Sequence, residues 1–126
     1  MSNLLQILKN VFSSNATSEQ AIISEQKIIA SKQYPENMEM QNYIVKEQLS
    51  AYRYIQTLND VEIKELVIQK HPANYTMQKH TYEQQLNAKN YMKATANTEV
   101  KIEALKKYPN DYFAQKYVYD KGNMSA

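Results

Sequence analysis

Residues 32–37 read KQYPEN, residues 69–74 QKHPAN and residues 106–111 KKYPND, and these stretches hold the chain's only prolines, Pro35, Pro72 and Pro109. Both gaps between the prolines are 37 residues. A shift of the chain by the same 37 residues carries the match well beyond them. Tyr34, Asn37, Met38, Met40, Gln41 and Tyr43 return as His71, Asn74, Tyr75, Met77, Gln78 and His80, then as Tyr108, Asp111, Tyr112, Ala114, Gln115 and Tyr117. Further on, Val45, Leu49, Ala51, Tyr54 and Ile55 face Tyr82, Leu86, Ala88, Tyr91 and Met92. Upstream, Glu25 and Lys27 recur as Glu62 and Lys64 and as Glu99 and Lys101. A period of this length is the mark of stacked supersecondary units.

A proline fits the first turn of a helix, where its missing N–H is not needed, and it drives the residue before it out of the helical region. Each Tyr-Pro or His-Pro therefore reads as a joint between helices, with the proline at the first turn of the next one. A second break falls inside each unit. TLNDVE at 57–62 offers Asn59 as an N-cap with Glu62 three residues on, and TANTEV at 95–100 offers Thr95, Asn97 and Thr98. Thr17 and Gln20 form a similar box in the first third. The expected unit is a long helix of about 22 residues followed by a short one of about 10.

Composition supports an all-α class. Helix formers are abundant, cysteine is absent, and Gly122 is the only glycine. The expected fold is all-α, built from helical hairpin repeats of 37 residues as a short α-solenoid. The alternative is a three-helix antiparallel bundle with proline at the corners. In a single domain over 1–126, residues 1–34 form a half unit that opens with an amphipathic helix. Residues 35–71 and 72–108 are full units, and 109–126 is a truncated third.

The same composition narrows function. A net charge of +2 with interspersed signs is small for a phosphate binder, and Arg53 is the only arginine. His71 and His80 have no metal-ligand spacing to one another or to a glutamate. No nucleophile motif, Gly-rich phosphate loop or cysteine offers a start to catalysis. Neither an enzyme, a cofactor, a metal nor a small-molecule substrate is expected. No stretch approaches the length of a membrane span, and MSNLLQILKNVF lacks the basic start of a signal peptide.

What remains is aromatic and apolar surface. There are eleven tyrosines against two phenylalanines. Tyr43, His80 and Tyr117 hold one position of the unit, and Val45, Tyr82 and Tyr119 another. They read either as rings packed between units or as a ladder offered to a partner, since tyrosine gives large contact area at low entropic cost. Gln41, Gln78 and Gln115 recur at a third position and read as structural, bonding across units or to the joint. Near the start, Leu4, Leu5, Leu8, Val11 and Phe12 make one apolar stripe on a three-turn helix that must dock on something. Tyr112, Phe113, Tyr117 and Tyr119 crowd the last unit.

These features point to a non-enzymatic helical protein for protein–protein interaction or structural assembly. Its partner would be protein, either copies of itself or a larger complex. The expected partner-binding residues are Leu4, Leu5, Leu8, Val11, Phe12, Tyr43, His80, Tyr112, Phe113, Tyr117 and Tyr119. The lysine, asparagine and isoleucine usage suggests an AT-rich genome. A phage structural component, or an accessory protein that binds a host factor, is the specific expectation, placed in the host cytoplasm or a virion. The alternative is a nucleic-acid-associated protein using lysines and stacked tyrosines, whose binding would weaken steeply with salt.

Overall fold

The structure is a computed structural model of the chain that describes residues 15–125. Among these residues it is built from six α-helices: α1 Asn15–Gln33, α2 Met38–Gln56, α3 Val61–Lys70, α4 Tyr75–Ala94, α5 Glu99–Lys107 and α6 Tyr112–Ser125. Long and short helices alternate, with breaks at the prolines and again at 57–60 and 95–98. Two compact units appear. The first comprises α1, α2 and Asn74–Thr76, and the second Leu58–Ala73 with the chain from Met77 onward.

The joints differ in detail from the sequence expectation. The prolines do not enter the first turn. Pro35 sits one residue into a turn that the Asn37 N–H closes on the Tyr34 carbonyl at 3.2 Å. Asn37 is then the N-cap, its side chain accepting from the Met40 N–H at 3.0 Å. Asp111 repeats this with the Ala114 N–H at 3.1 Å. An Asn or Asp two residues after the proline outcompetes it for the helix start, because its side chain satisfies a first-turn donor.

The inner breaks are corrected in the same way. Asp60, not Asn59, caps α3, accepting from the Ile63 N–H at 3.1 Å. Its other carboxylate oxygen takes Lys89 Nζ at 2.7 Å, and its own N–H goes to the Tyr82 hydroxyl at 3.2 Å. Thr98 caps α5 through the Lys101 N–H. Lys101 is buried and donates Nζ to the Thr95 carbonyl, where α4 has ended. α1 is already helical at Asn15, so the Thr17–Gln20 box does not open it.

Hydrogen bonds recur with the sequence period. The N–H groups of Tyr34, His71 and Tyr108 bond the carbonyls of Ala30, Val67 and Ala104, each fully buried. The amides of Gln41, Gln78 and Gln115 donate to the carbonyls of the same three pre-proline residues, each at 2.6 Å. Gln48 Oε1 accepts from the Tyr75 and Thr76 N–H groups at 2.6 and 3.3 Å, and 37 residues on, Gln85 Oε1 accepts from Tyr112 and Phe113 at 2.8 and 3.4 Å. Their Nε2 groups reach the Oδ1 atoms of Asn74 and Asp111. The Tyr75 hydroxyl donates to Glu25 and the Tyr112 hydroxyl to Glu62.

Apolar packing fills in around these bonds. In the first unit α1 packs on α2, with Ile22, Ala30, Ala51 and Ile55 buried and the Tyr52 ring edge-on to Tyr75 at 5.3 Å. In the second, Ile63, Val67 and Tyr82 form a buried cluster on which Leu58, Leu86 and Tyr112 pack. Burial, then Glu25, raises the ionisation of the Tyr75 hydroxyl well above the ordinary tyrosine range, so it stays a donor.

Gln85 is the clearest test of this frame, being buried with both ends of its amide engaged. Gln85→Ala should cost about 2 kcal/mol in urea unfolding, because two first-turn donors and Asp111 lose a partner. Gln85→Glu should cost more, since it sets a carboxylate against Asp111. Acid supplies a second test. The Lys89 ammonium, helped by the Ile63 N–H, holds Asp60 below its usual carboxylate range. That stabilisation is present above about pH 4 and is lost as pH falls toward the depressed folded value. Asp60→Asn keeps the cap acceptor and drops the ion pair, so its unfolding midpoint should be lower at neutral pH and fall less on acidification.

Candidate protein-binding surface

Helix α6 carries exposed apolar side chains along one side, and the contacts of its inner side set that orientation. Gln85 and Asp111 hold its first turn, and Gln115, 1% exposed, bonds the Tyr108 carbonyl. Tyr112 is half-buried against the Ile63–Val67–Tyr82 cluster, with its hydroxyl on Glu62 at 2.7 Å and Lys89 Nζ 5.4 Å from its ring centre. Tyr119 meets Tyr91 edge-on at 6.2 Å. These contacts fix which way the helix faces.

The opposite side presents Phe113, Tyr117 and Met124, 50%, 57% and 86% exposed. With Lys116, Asp120 and Lys121 they form one strip at helical spacing along a single helix. The charges in it are tied down. Asp120 accepts from the Tyr91 hydroxyl at 2.7 Å and from Lys116 Nζ at 3.1 Å, and these two donors, the hydroxyl first, hold its carboxyl below the usual range. Lys116 Nζ lies 4.6 Å from the Tyr91 ring centre, and Lys121 Nζ 5.2 Å from that of Tyr117. The strip is apolar in the middle with cations folded along its borders.

The two aromatic rows of the sequence have separated. Tyr43, His80 and Tyr117 are all exposed, whereas Val45 and Tyr119 are half-buried and Tyr82 is buried. Tyr43 borders a shallow groove with Ile44, Glu47, Gln48 and Thr76. Of the expected binding residues, Phe113 and Tyr117 share the α6 strip, and Tyr112 and Tyr119 turn inward beside it. Leu4, Leu5, Leu8, Val11 and Phe12 lie outside the described residues. Met124 is the member that sequence reading missed. Its signal was the helical spacing 113, 117, 120, 124, which runs through the stretch KGNMSA.

Other chemistries find little to build on. Arg53 forks onto Glu19 with bonds of 2.8 and 3.0 Å, so the single guanidinium already holds a carboxylate. Among the described residues no group of three or more histidine, aspartate or glutamate side chains is placed to hold a metal ion, and no helix is long and apolar enough to cross a membrane. Comparison with protein-family models, with curated proteins and with solved structures gave no match to this chain.

Because the strip is exposed, its side chains should be dispensable for folding. Phe113→Ser and Tyr117→Ser should each change unfolding free energy by less than about 0.5 kcal/mol. Tyr112→Ala, one residue away and packed inward, should cost about 2 kcal/mol in the same urea titration.

Proposed function

We propose that this protein is a non-enzymatic helical interaction and assembly component, organised as 37-residue helical hairpins in the manner of a short α-solenoid. It binds protein, and first of all copies of itself, through the outer face of α6. A place in a larger assembly, such as a phage particle, follows the same reading. The carrying observation is the strip of Phe113, Tyr117 and Met124. Aromatic and methionine side chains are the types enriched where proteins meet, and a contiguous apolar strip beside tied-down charges fits a contact better than a solvated face.

The order of residues in the strip suits self-pairing. In an antiparallel pair of α6 helices, residues whose numbers share one sum lie at one height. Phe113 then meets Met124 of a second copy, and Tyr117 meets Asp120, giving a two-fold, self-complementary contact. Each copy brings Lys116 and Lys121 against one Asp120, so the pair is opposed by a mild repulsion that salt screens.

Light scattering over a wide concentration range tests this. The wild-type mass should rise toward a dimer and do so more readily in added salt, while a Phe113→Ser/Tyr117→Ser/Met124→Ser variant with an unchanged unfolding midpoint stays monomeric. A wild-type chain that is monomeric throughout, or binds a single-stranded oligonucleotide with an affinity that collapses in salt, would overturn the reading.

A further inference from the structure

The chain's only arginine stands in a cleft of the first unit. Glu19 of α1 and Tyr52, Arg53 and Gln56 of α2 line a space of about 400 Å³, the size of a small-ligand pocket. Arg53 Nε and Nη2 donate to the two Glu19 carboxylate oxygens at 2.8 and 3.0 Å, which occupies one edge of the guanidinium. The same hydrogen bonds hold the Glu19 carboxyl below its usual range, so the pair stays charged and the guanidinium keeps its orientation.

A guanidinium carries five N–H donors, and three are left over: two on Nη1 and one on Nη2, the end-on fork. Among the described residues these meet no acceptor, and neither the Tyr52 hydroxyl nor the Gln56 amide has a hydrogen-bond partner. Tyr52, Arg53 and Gln56 share one arc of α2, and all three line the cleft.

Residues that build the fold recur with the repeat, and these do not. Thirty-seven residues after Glu19, Arg53 and Gln56 stand Gln56, Asn90 and Lys93. The recurring bonds of the joints and first turns pass through none of the three. As a brace the ion pair contributes little, because its side chains are 59% and 32% exposed. What it does is aim a fork.

Donors predominate among the unused groups, so the matching ligand brings acceptors. Glu19 already cancels the arginine's charge, and a dianion such as phosphate would be repelled by it. A single carboxylate offers two coplanar oxygens that match the fork. We propose that this cleft binds a carboxylate, with its two oxygens on the Nη1–Nη2 edge of Arg53 and with Tyr52 and Gln56 donating beside it. The carboxylate belongs either to a small organic acid or to the free end of a peptide. This site does not depend on what binds α6.

With one arginine in the chain, the Arg53 Nε–H gives a single nitrogen-15 NMR signal that needs no assignment. The full chain is titrated with benzoate, benzamide and inorganic phosphate, then with N-acetyl-dialanine and its C-terminal amide. Benzoate should move the Arg53 signal saturably, and severalfold more tightly than benzamide or phosphate. Gln56→Ala and Tyr52→Phe should each weaken it severalfold, the latter keeping the ring against Tyr75. Arg53→Lys, read at the Gln56 side-chain amide, should abolish binding, and all three variants should keep the wild-type urea midpoint. Tighter binding of N-acetyl-dialanine than of benzoate assigns the site to a peptide end, and the reverse order to a free acid. No saturable shift at Arg53 overturns the proposal. So does an equal response to benzamide or phosphate, or binding that survives Arg53→Lys.

Discussion

Everything else in this fold leans on a glutamine that reaches from one long helix to the start of the next. A helix N-terminus exposes N–H groups with no partner of their own. Gln48 and Gln85 each present one carbonyl oxygen to two of them and an amide to the side chain of Asn74 or Asp111, the residue just before the incoming helix. A side chain that accepts from two backbone N–H groups and also donates fixes where the incoming helix begins and how it is rotated. Tyr75 and Tyr112 then have only one way to point, and their hydroxyls land on Glu25 and Glu62. Apolar burial supplies driving force but would tolerate a helix slid by part of a turn; the glutamine would not.

The joint that precedes each long helix solves a related accounting problem. Proline removes a donor and keeps the residue before it out of the helical region, with φ and ψ of −135° and 69° at His71 and −133° and 74° at Tyr108. The pre-proline carbonyl is thereby turned out of the helix that just ended. Gln41, Gln78 and Gln115, seven residues on, return to take it. The pattern [Tyr/His]-Pro-x-[Asn/Asp] followed by Gln is therefore a set of separate jobs: carbonyl, turn, cap and carbonyl partner. That division explains why the positions between them vary freely among glutamate, alanine and asparagine.

Much of this was legible in the sequence because punctuation was legible. One glycine, three evenly spaced prolines and polar residues at both kinds of break announce short helices, and the recurring Gln41, Gln78 and Gln115 already read as structural. The failures were local contests decided by distant residues. Asn59 and Asp60 are both good caps, and what selects Asp60 is Lys89 and the Tyr82 hydroxyl, far along the chain. Gln48 and Gln85 were invisible for a different reason. A glutamine on a helix reads as solvated surface, and nothing in its own neighbourhood says that a backbone will arrive there. In the candidate surface, the tyrosine positions could be found from the sequence but not their direction, since Tyr112 and Tyr117 differ only in which side of α6 they occupy.

The same glutamine position shows how α6 differs from the long helices before it. In α6 that place is Gly122, and a Cβ built on it would lie 2.5 Å from Val100 Cγ1. Valine is stiff about its first torsion, so this contact does not yield cheaply. α6 approaches α5 at a distance that only glycine permits, although glycine within a helix is itself unfavourable. The close approach excludes a glutamine, and with it the group that could satisfy another helix's first-turn N–H groups in the manner of Gln48 and Gln85. The outer face of α6 is left with side-chain chemistry alone: Phe113, Tyr117 and Met124 between folded lysines. On the proposed reading, a partner of that face would be held by apolar contact, which an already folded helical face would supply, and not by backbone capping.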